Sequence, residues 1–264
     1  MARLAMSARG RLTMLVVFFL PLLHCVLLEG AEGAPWFWRW PPIGGGGGED
    51  PYCLSWRVMV EANNAKGWRR VPAPCIGYVR GYMAWGQYYR DVGSVADQVA
   101  AYAAQIVPTA DGLDAWVFDV DDTCLSNQPY YQAKQFGAYD PVAFKMWASR
   151  GVCPGIPAMQ WLFQTLRGRG FRVFLVTGRD EETLASSTVA NLAAAGFFGY
   201  DRLIMRSASY RGQSSVAFKS AVRRQLVAEG YRLRGNMGDQ WSDLQGECVG
   251  DRVFKVPNPM YFVP

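Results

Sequence analysis

The chain has 264 residues, half of them hydrophobic and 14% aromatic, with 27 basic and 22 acidic residues, a net charge of +5 and a single histidine. The positive charge is mild and scattered, with no basic block, so neither nucleic acid nor a membrane surface is indicated as a partner. The one histidine, His24, lies in an apolar leader, so the processed chain has no imidazole. That excludes a Ser-His-Asp triad, phosphohistidine chemistry and His-ligated zinc, and leaves acid–base work to carboxylates, Lys, Tyr or Cys.

In chain order, Arg3, Arg9 and Arg11 precede an apolar run from Leu15 to Leu28, broken only by Pro21 and His24, with small residues around Gly30 to Ala34. This pattern predicts a secretory signal peptide over residues 1–33 and export into the secretory pathway, to the cell wall or a vacuole, with no membrane attachment once the signal is removed. Processing leaves 24 basic and 20 acidic residues, a net charge of +4. Residues 34–50 carry Trp36, Trp38 and Trp40 and then five consecutive glycines, Gly44 to Gly48, which reads as a flexible arm. Residues 51–264 have the composition and length of a single globular domain. Five cysteines survive processing, and Cys53 with Cys75 is the expected disulfide in an oxidising compartment. The odd count leaves at least one thiol free or intermolecular, and Cys124 is expected to be buried and structural. The oligomeric state stays open, a homodimer included.

Apolar residues from Val95 to Val107 recur at helical spacing and end at Pro108. Ala115 to Phe118 is a short β-prone run that leads directly into Asp119, Asp121 and Asp122, which predicts a buried parallel strand ending in carboxylates. In extended chain Asp119 and Asp121 point to one side and Asp122 away. Two carboxylates on one side repel unless a cation or a shared proton neutralises them, so the pair suggests a magnesium site, or one nucleophile beside one acid. The plainer reading is a strand followed by an acidic turn.

The segment of about 124–155 is rich in aromatics (Tyr130, Tyr131, Phe136, Tyr139, Phe144, Trp147) and poor in strand character, and reads as an insertion lying over a pocket. Alternation follows: a helix over Gly155 to Arg167, a strand over Arg172 to Thr177, a helix over Glu181 to Ala194, a strand over Arg202 to Met205, a helix over Ser214 to Ala228 and strands near Leu233 to Met237 and Val253 to Val256. This order implies βαβ units around a parallel sheet. Polar groups sit at matching strand ends. Thr177-Gly178-Arg179 reads as a tight turn suited to an anionic oxygen, Lys219 falls in the first turns of the helix after the third strand, and Asp239 and Asp243 stand four apart. Each alone has a plain explanation as a turn, a solvated lysine or a helix-capping pair, but four in order at successive strand ends do not.

Together, FDVDDT at 118–123, VTGR at 176–179, Lys219 and GDQWSD at 238–243 resemble the four motifs of the haloacid dehalogenase (HAD) superfamily. More closely, the chain from Cys53 onward resembles its subfamily IIIB, the plant acid phosphatases related to vegetative storage proteins. The resemblance implies an α/β, HAD-like Rossmannoid three-layer sandwich with a mostly parallel sheet and a small helical cap. It also implies a magnesium-dependent acid phosphatase acting on small phosphomonoesters. Asp119 is then the nucleophile and Asp121 the general acid and later base, with a pKa expected to be raised by its anionic neighbour. Thr177, Gly178 and Lys219 bind the phosphoryl group, and Asp119, Asp121 (through its carbonyl), Asp239 and Asp243 hold Mg2+. An acid at position 121 favours an alkoxide leaving group over a halide. The alternative within the family is a storage protein with little or no turnover, against which the intact Asp119 speaks. N-terminal sequencing of exported protein is expected to start just after Gly33, and a start at Met1 contradicts the signal assignment.

Overall fold

The computed structural model describes residues 50–264, so the expected signal segment 1–33 and residues 34–49 of the arm lie outside the described residues. The fold follows the predicted alternation. Helices α1 (Pro51–Glu61), α2 (Ile76–Ala84) and α3 (Gln87–Ala104) precede β1 (Asp114–Asp119), and α4 (Gln128–Ala133) and α5 (Pro141–Ala148) follow it. Then come α6 (Pro157–Gly168), β2 (Arg172–Asp180), α7 (Glu181–Ala194), β3 (Arg202–Arg206), α8 (Ser215–Ala228), β4 (Arg232–Gly238), α9 (Trp241–Leu244) and β5 (Val253–Lys255). The strands form one sheet in the order β3-β2-β1-β4-β5, and all neighbours are parallel.

Strand periodicity divides the core into two layers. Trp116, Phe118, Val173 and Leu175 face one side and pack against α3 and α6, including Val99, Leu162, Phe163 and Leu166. Ala115, Val117, Phe174 and Val176 face the other and meet the α8 stripe of Phe218, Val222 and Leu226. Each of these large side chains contributes up to about 1.5–3 kcal/mol by leaving water. Helices on both faces of a parallel sheet make the expected three-layer α/β sandwich. No helix of the described residues is long and apolar enough to cross a membrane.

The N-terminal segment is part of this body. Asp50, the last residue of the predicted arm, caps α1 by accepting from Tyr52 N at 3.0 Å. The expected Cys53–Cys75 disulfide is present. Closing its loop of 22 residues removes unfolded-state entropy worth about 3 kcal/mol. Glu61 at the end of α1 pairs with Lys255 at 2.8 Å and accepts from Asn258 N at 2.9 Å, tying the start of the domain to its end.

Two sequence boundaries move. The helix predicted from Val95 starts at Gln87, because Gly86 turns the chain through φ +94° and lets α3 run 18 residues. The second strand does not stop at Thr177 but continues through Gly178 and Arg179 to Asp180, whose side chain then caps α7. Gly178 is therefore strand rather than the tight turn expected, and the difference changes which side chains reach the pocket.

At the amino ends of the strands Asp114 is buried at the start of β1. It accepts from Arg232 Nε at 3.1 Å, Arg234 Nε at 2.6 Å and Thr109 N at 2.7 Å. The Arg232 hydrogen bond, outweighing burial, holds its carboxyl well below the usual range. A depressed folded pKa contributes stability above the unfolded value of about 3.9 and loses it as pH falls through the folded value. Asp114→Asn is expected to cost about 2 kcal/mol at pH 7 in urea denaturation, with the deficit shrinking below about pH 4.

Candidate active site

β1 is the middle strand; β2 and β3 follow on one side and β4 and β5 lie on the other, so the strand order reverses between β1 and β4. Helices on opposite faces diverge at such a switch point and open a crevice at the carboxyl ends of the strands. The crevice here is a cavity of about 570 Å3 lined by Asp119, Asp121, Gly178, Arg179, Lys219, Asp239 and Asp243. Residues up to 124 apart in the chain thus meet because they end, or directly follow, adjacent parallel strands.

Lys219 organises one half of the site. Its ammonium donates to Asp119 and, at 2.5 Å, to Asp243 Oδ1. Phe218, buried beside it, fixes the roll of α8 that turns Lys219 inward. Asp243 Oδ2 accepts from Gln240 N at 2.9 Å in the capping box of α9, so Asp243 is both the cap foreseen as the plain alternative and a member of the site. Asp239 accepts from Asn258 Nδ2 at 2.5 Å and Gln240 Nε2 at 2.7 Å. Behind these, buried Arg223, one turn after Lys219, donates to the carbonyls of Asp243 at 2.7 Å, Gln245 at 2.6 Å and Glu247 at 3.0 Å.

One oxygen each of Asp119, Asp239 and Asp243 lies within 4.8 Å of the others. With all three ionised, these buried carboxylates against one ammonium would carry an excess of two negative charges. Burial pushes Asp119 well above the ordinary carboxylate range, with Lys219 working against the shift and Asp243 and Asp239 adding to it. Asp239 is pushed up to about 8, by burial first and then by Asp243. Lys219 is raised because its two carboxylate partners outweigh its own burial. This all-oxygen donor set with uncompensated charge fits a hard divalent cation.

Asp121 belongs to a second arrangement. Its carboxylate accepts from Arg179 Nη2 at 2.8 Å and Nε at 3.0 Å, from Asn127 Nδ2 at 2.9 Å and from the Thr177 hydroxyl at 3.1 Å. Burial alone would raise this carboxyl, but Arg179, with help from Asn127 and Thr177, brings it below its ordinary value. The expectation of a raised pKa at Asp121 is thus overturned, because the neighbouring guanidinium outweighs the burial that favours the neutral acid. Thr177 is also differently engaged: its hydroxyl donates to Asp121 and accepts from Arg179 N at 3.1 Å, and its side chain is fully buried. Gly178 is exposed at the cavity wall.

Asp122 turns away from the cavity as the alternation predicts. It sits at φ +54°, within a turn closed by Cys124 N and Leu125 N on the Val120 carbonyl at 2.9 and 2.8 Å. Its carboxylate accepts from Asn127 N at 2.8 Å and the Tyr261 hydroxyl at 2.8 Å, and burial pushes it up to about 7. Cys124 is buried, with its thiol on the Asp119 carbonyl at 3.3 Å and its pKa raised by burial, as expected of a structural cysteine. Cys153 and Cys248 are unpaired too among the described residues.

The sequence reading missed Arg179, Asn127, Asn258 and Tyr261. Arg179 was within reach: an extended strand through Asp180 puts Thr177 and Arg179 on one face. The others carry no local signal. The insertion supplies Tyr131, Tyr139 and Phe144 to the cavity wall from α4, α5 and the loop between them, and Tyr131 stacks on Tyr261 with ring centroids 4.5 Å apart.

Residues 45–264 match the model of the HAD superfamily, subfamily IIIB (acid phosphatase). The chain belongs to this acid phosphatase family. It is 42% identical to acid phosphatase 1 of Solanum lycopersicum, covering 80% of this chain and 83% of that one. It is 37% identical to vegetative storage protein 1 of Arabidopsis thaliana, over 81% of this chain and 80% of the other. In three dimensions it resembles the class C acid phosphatase of Bacillus anthracis with a TM-score of 0.58 at 16% identity, covering 80% and 86% of the two chains, which is a likeness of fold.

The site of this family member depends on a close approach that only glycine allows. A Cβ on Gly238 would lie 2.2 Å from an Asp243 carboxylate oxygen, whereas one on Gly178 would meet nothing nearer than 4.0 Å. Gly238→Ala is expected to cost about 2 kcal/mol in urea denaturation, and Gly178→Ala much less.

Proposed function

We propose that the chain is a magnesium-dependent phosphomonoesterase that works through an aspartyl-phosphate on Asp119. The observation that carries this reading is the buried triad of Asp119, Asp239 and Asp243 gathered around Lys219 at the head of the sheet. Asp119, Asp239 and Asp243, with the Asp121 carbonyl, would hold Mg2+. Bound there, the ion supplies charge neutralisation that lets a phosphate dianion approach three carboxylates.

Lys219 keeps one Asp119 oxygen fixed by hydrogen bonding, which orients the other for in-line attack on phosphorus. The Asp119–phosphorus bond forms as the phosphorus–ester oxygen bond breaks, and Asp121 gives its proton to the departing alkoxide. Asp121 then takes a proton from water, whose oxygen attacks phosphorus and releases phosphate and free Asp119. The Arg179 pair favours the ionised form of Asp121, which suits the second half of this cycle; the first half needs the proton that acidic pH supplies. Thr177 turns its hydroxyl from Asp121 to a phosphoryl oxygen, and the exposed backbone of Gly178 adds a second donor. The insertion of about 124–155 acts as a cap whose aromatic side chains limit water in the cavity. A signal over residues 1–33 would deliver the enzyme to the cell wall or a vacuole.

Release of phosphate from p-nitrophenyl phosphate is expected to require Mg2+, to stop with chelator and to fall by several orders of magnitude in Asp119→Asn. Absence of turnover by folded, Mg2+-loaded wild type would favour a storage role like that named for the vegetative storage proteins.

A further inference from the structure

The cations that line the cavity differ in their partners. Lys219 is matched by Asp119 and Asp243, and Arg179 by Asp121. Arg206, the last residue of β3, also lines the cavity, but its guanidinium donates only to neutral groups, the Gln213 carbonyl at 2.8 Å and the Ser215 hydroxyl at 3.2 Å. It stands over the Phe218 ring, 5.0 Å from the centroid. Asp180, its strand neighbour, is taken up instead by Thr183 N at 3.1 Å and by Arg211. No carboxylate of the described residues pairs with Arg206, and burial lowers its pKa, offset only in part by the nearby Tyr139 phenol. A guanidinium held by neutral acceptors beside a cavity keeps its charge available to a ligand.

Arg206 lies beside Gly178 and makes no hydrogen bond to Asp119, Asp121 or Thr177. One of its terminal nitrogens is 4.0 Å from where a Gly178 Cβ would stand, while Tyr139 and Phe144 line the same cavity. Lys145 on α5, exposed at the rim, adds a second positive charge. Resting on the phosphomonoesterase reading, we propose that Arg206 is a specificity residue that pairs with a second anionic group on the substrate. The preferred substrates are then phosphomonoesters of a planar leaving group carrying a carboxylate or another phosphate: the planar part packs against Tyr139 and Phe144 and the anion meets Arg206.

The test is calorimetric binding of phenylphosphonate and of its 3- and 4-carboxy derivatives to the Mg2+-loaded chain, for wild type, Arg206→Met and Arg206→Lys. Wild type is expected to bind one carboxylated ligand about tenfold more tightly than phenylphosphonate. Arg206→Met should bring that ratio close to one, and Arg206→Lys should keep part of it. Equal binding of all three ligands by wild type overturns the proposal. So does a uniform loss in Arg206→Met that leaves the ratio intact, since that marks a structural or phosphoryl-binding role. The ratio is read without turnover, so a chain that shows it but hydrolyses no aryl phosphate upholds the anion site and sinks the catalytic reading instead.

Discussion

The ammonium of Lys219 between Asp119 and Asp243 is the contact on which the site depends. Three carboxylates in a low-dielectric crevice repel one another strongly, and a single removable counter-ion would leave the apo fold with no restraint on them. A lysine built into α8 supplies a permanent share of the neutralising charge and leaves the remainder for a cation. The surrounding structure serves this placement. Phe218, Val222 and Leu226 seat α8 on the sheet, Arg223 gathers the carbonyls that follow Asp243, and Gly238 omits the Cβ that would displace the Asp243 carboxylate.

The pair of Asp121 and Arg179 is a separate unit on the other side of the cavity. It joins the acidic loop after β1 to β2, and through Asn127 it reaches the insertion, where Trp147 Nε1 donates to the Asn127 side-chain oxygen at 3.1 Å. Tyr261 closes the circle by donating to Asp122 while stacking on Tyr131. A helix of the insertion, the acidic loop and the end of the chain therefore restrain one another. Polar groups this deeply buried are costly unless every one is partnered, which is why the local hydrogen-bonding is so dense.

Much of this was legible in the sequence. The apolar run into Asp119, the helix bounds of α7 and the Cys53–Cys75 pair were read as they stand in the fold. What escaped did so for definable reasons. Gly178 looked like a turn because glycine usually punctuates, yet the parallel ladder to β3, which resumes at Asp180–Arg206, carries the strand past it. The sequence shows only carboxylates, Asp119 and Asp122, beside Asp121 and so points to a raised pKa, whereas the charge that pairs with it in space is Arg179.

The sequence by itself determined the order of elements, the burial of the sheet and which polar side chains stand at the strand ends, because periodicity and strand-end chemistry are local. Tertiary structure decided which groups face each other: Asp119 with Lys219 but Asp121 with Arg179, Asp239 with Asn258, and Arg206 with no carboxylate among the described residues. Electrostatic energy depends on distance in space and on the surrounding dielectric, and neither quantity exists until the strands are aligned and water is excluded.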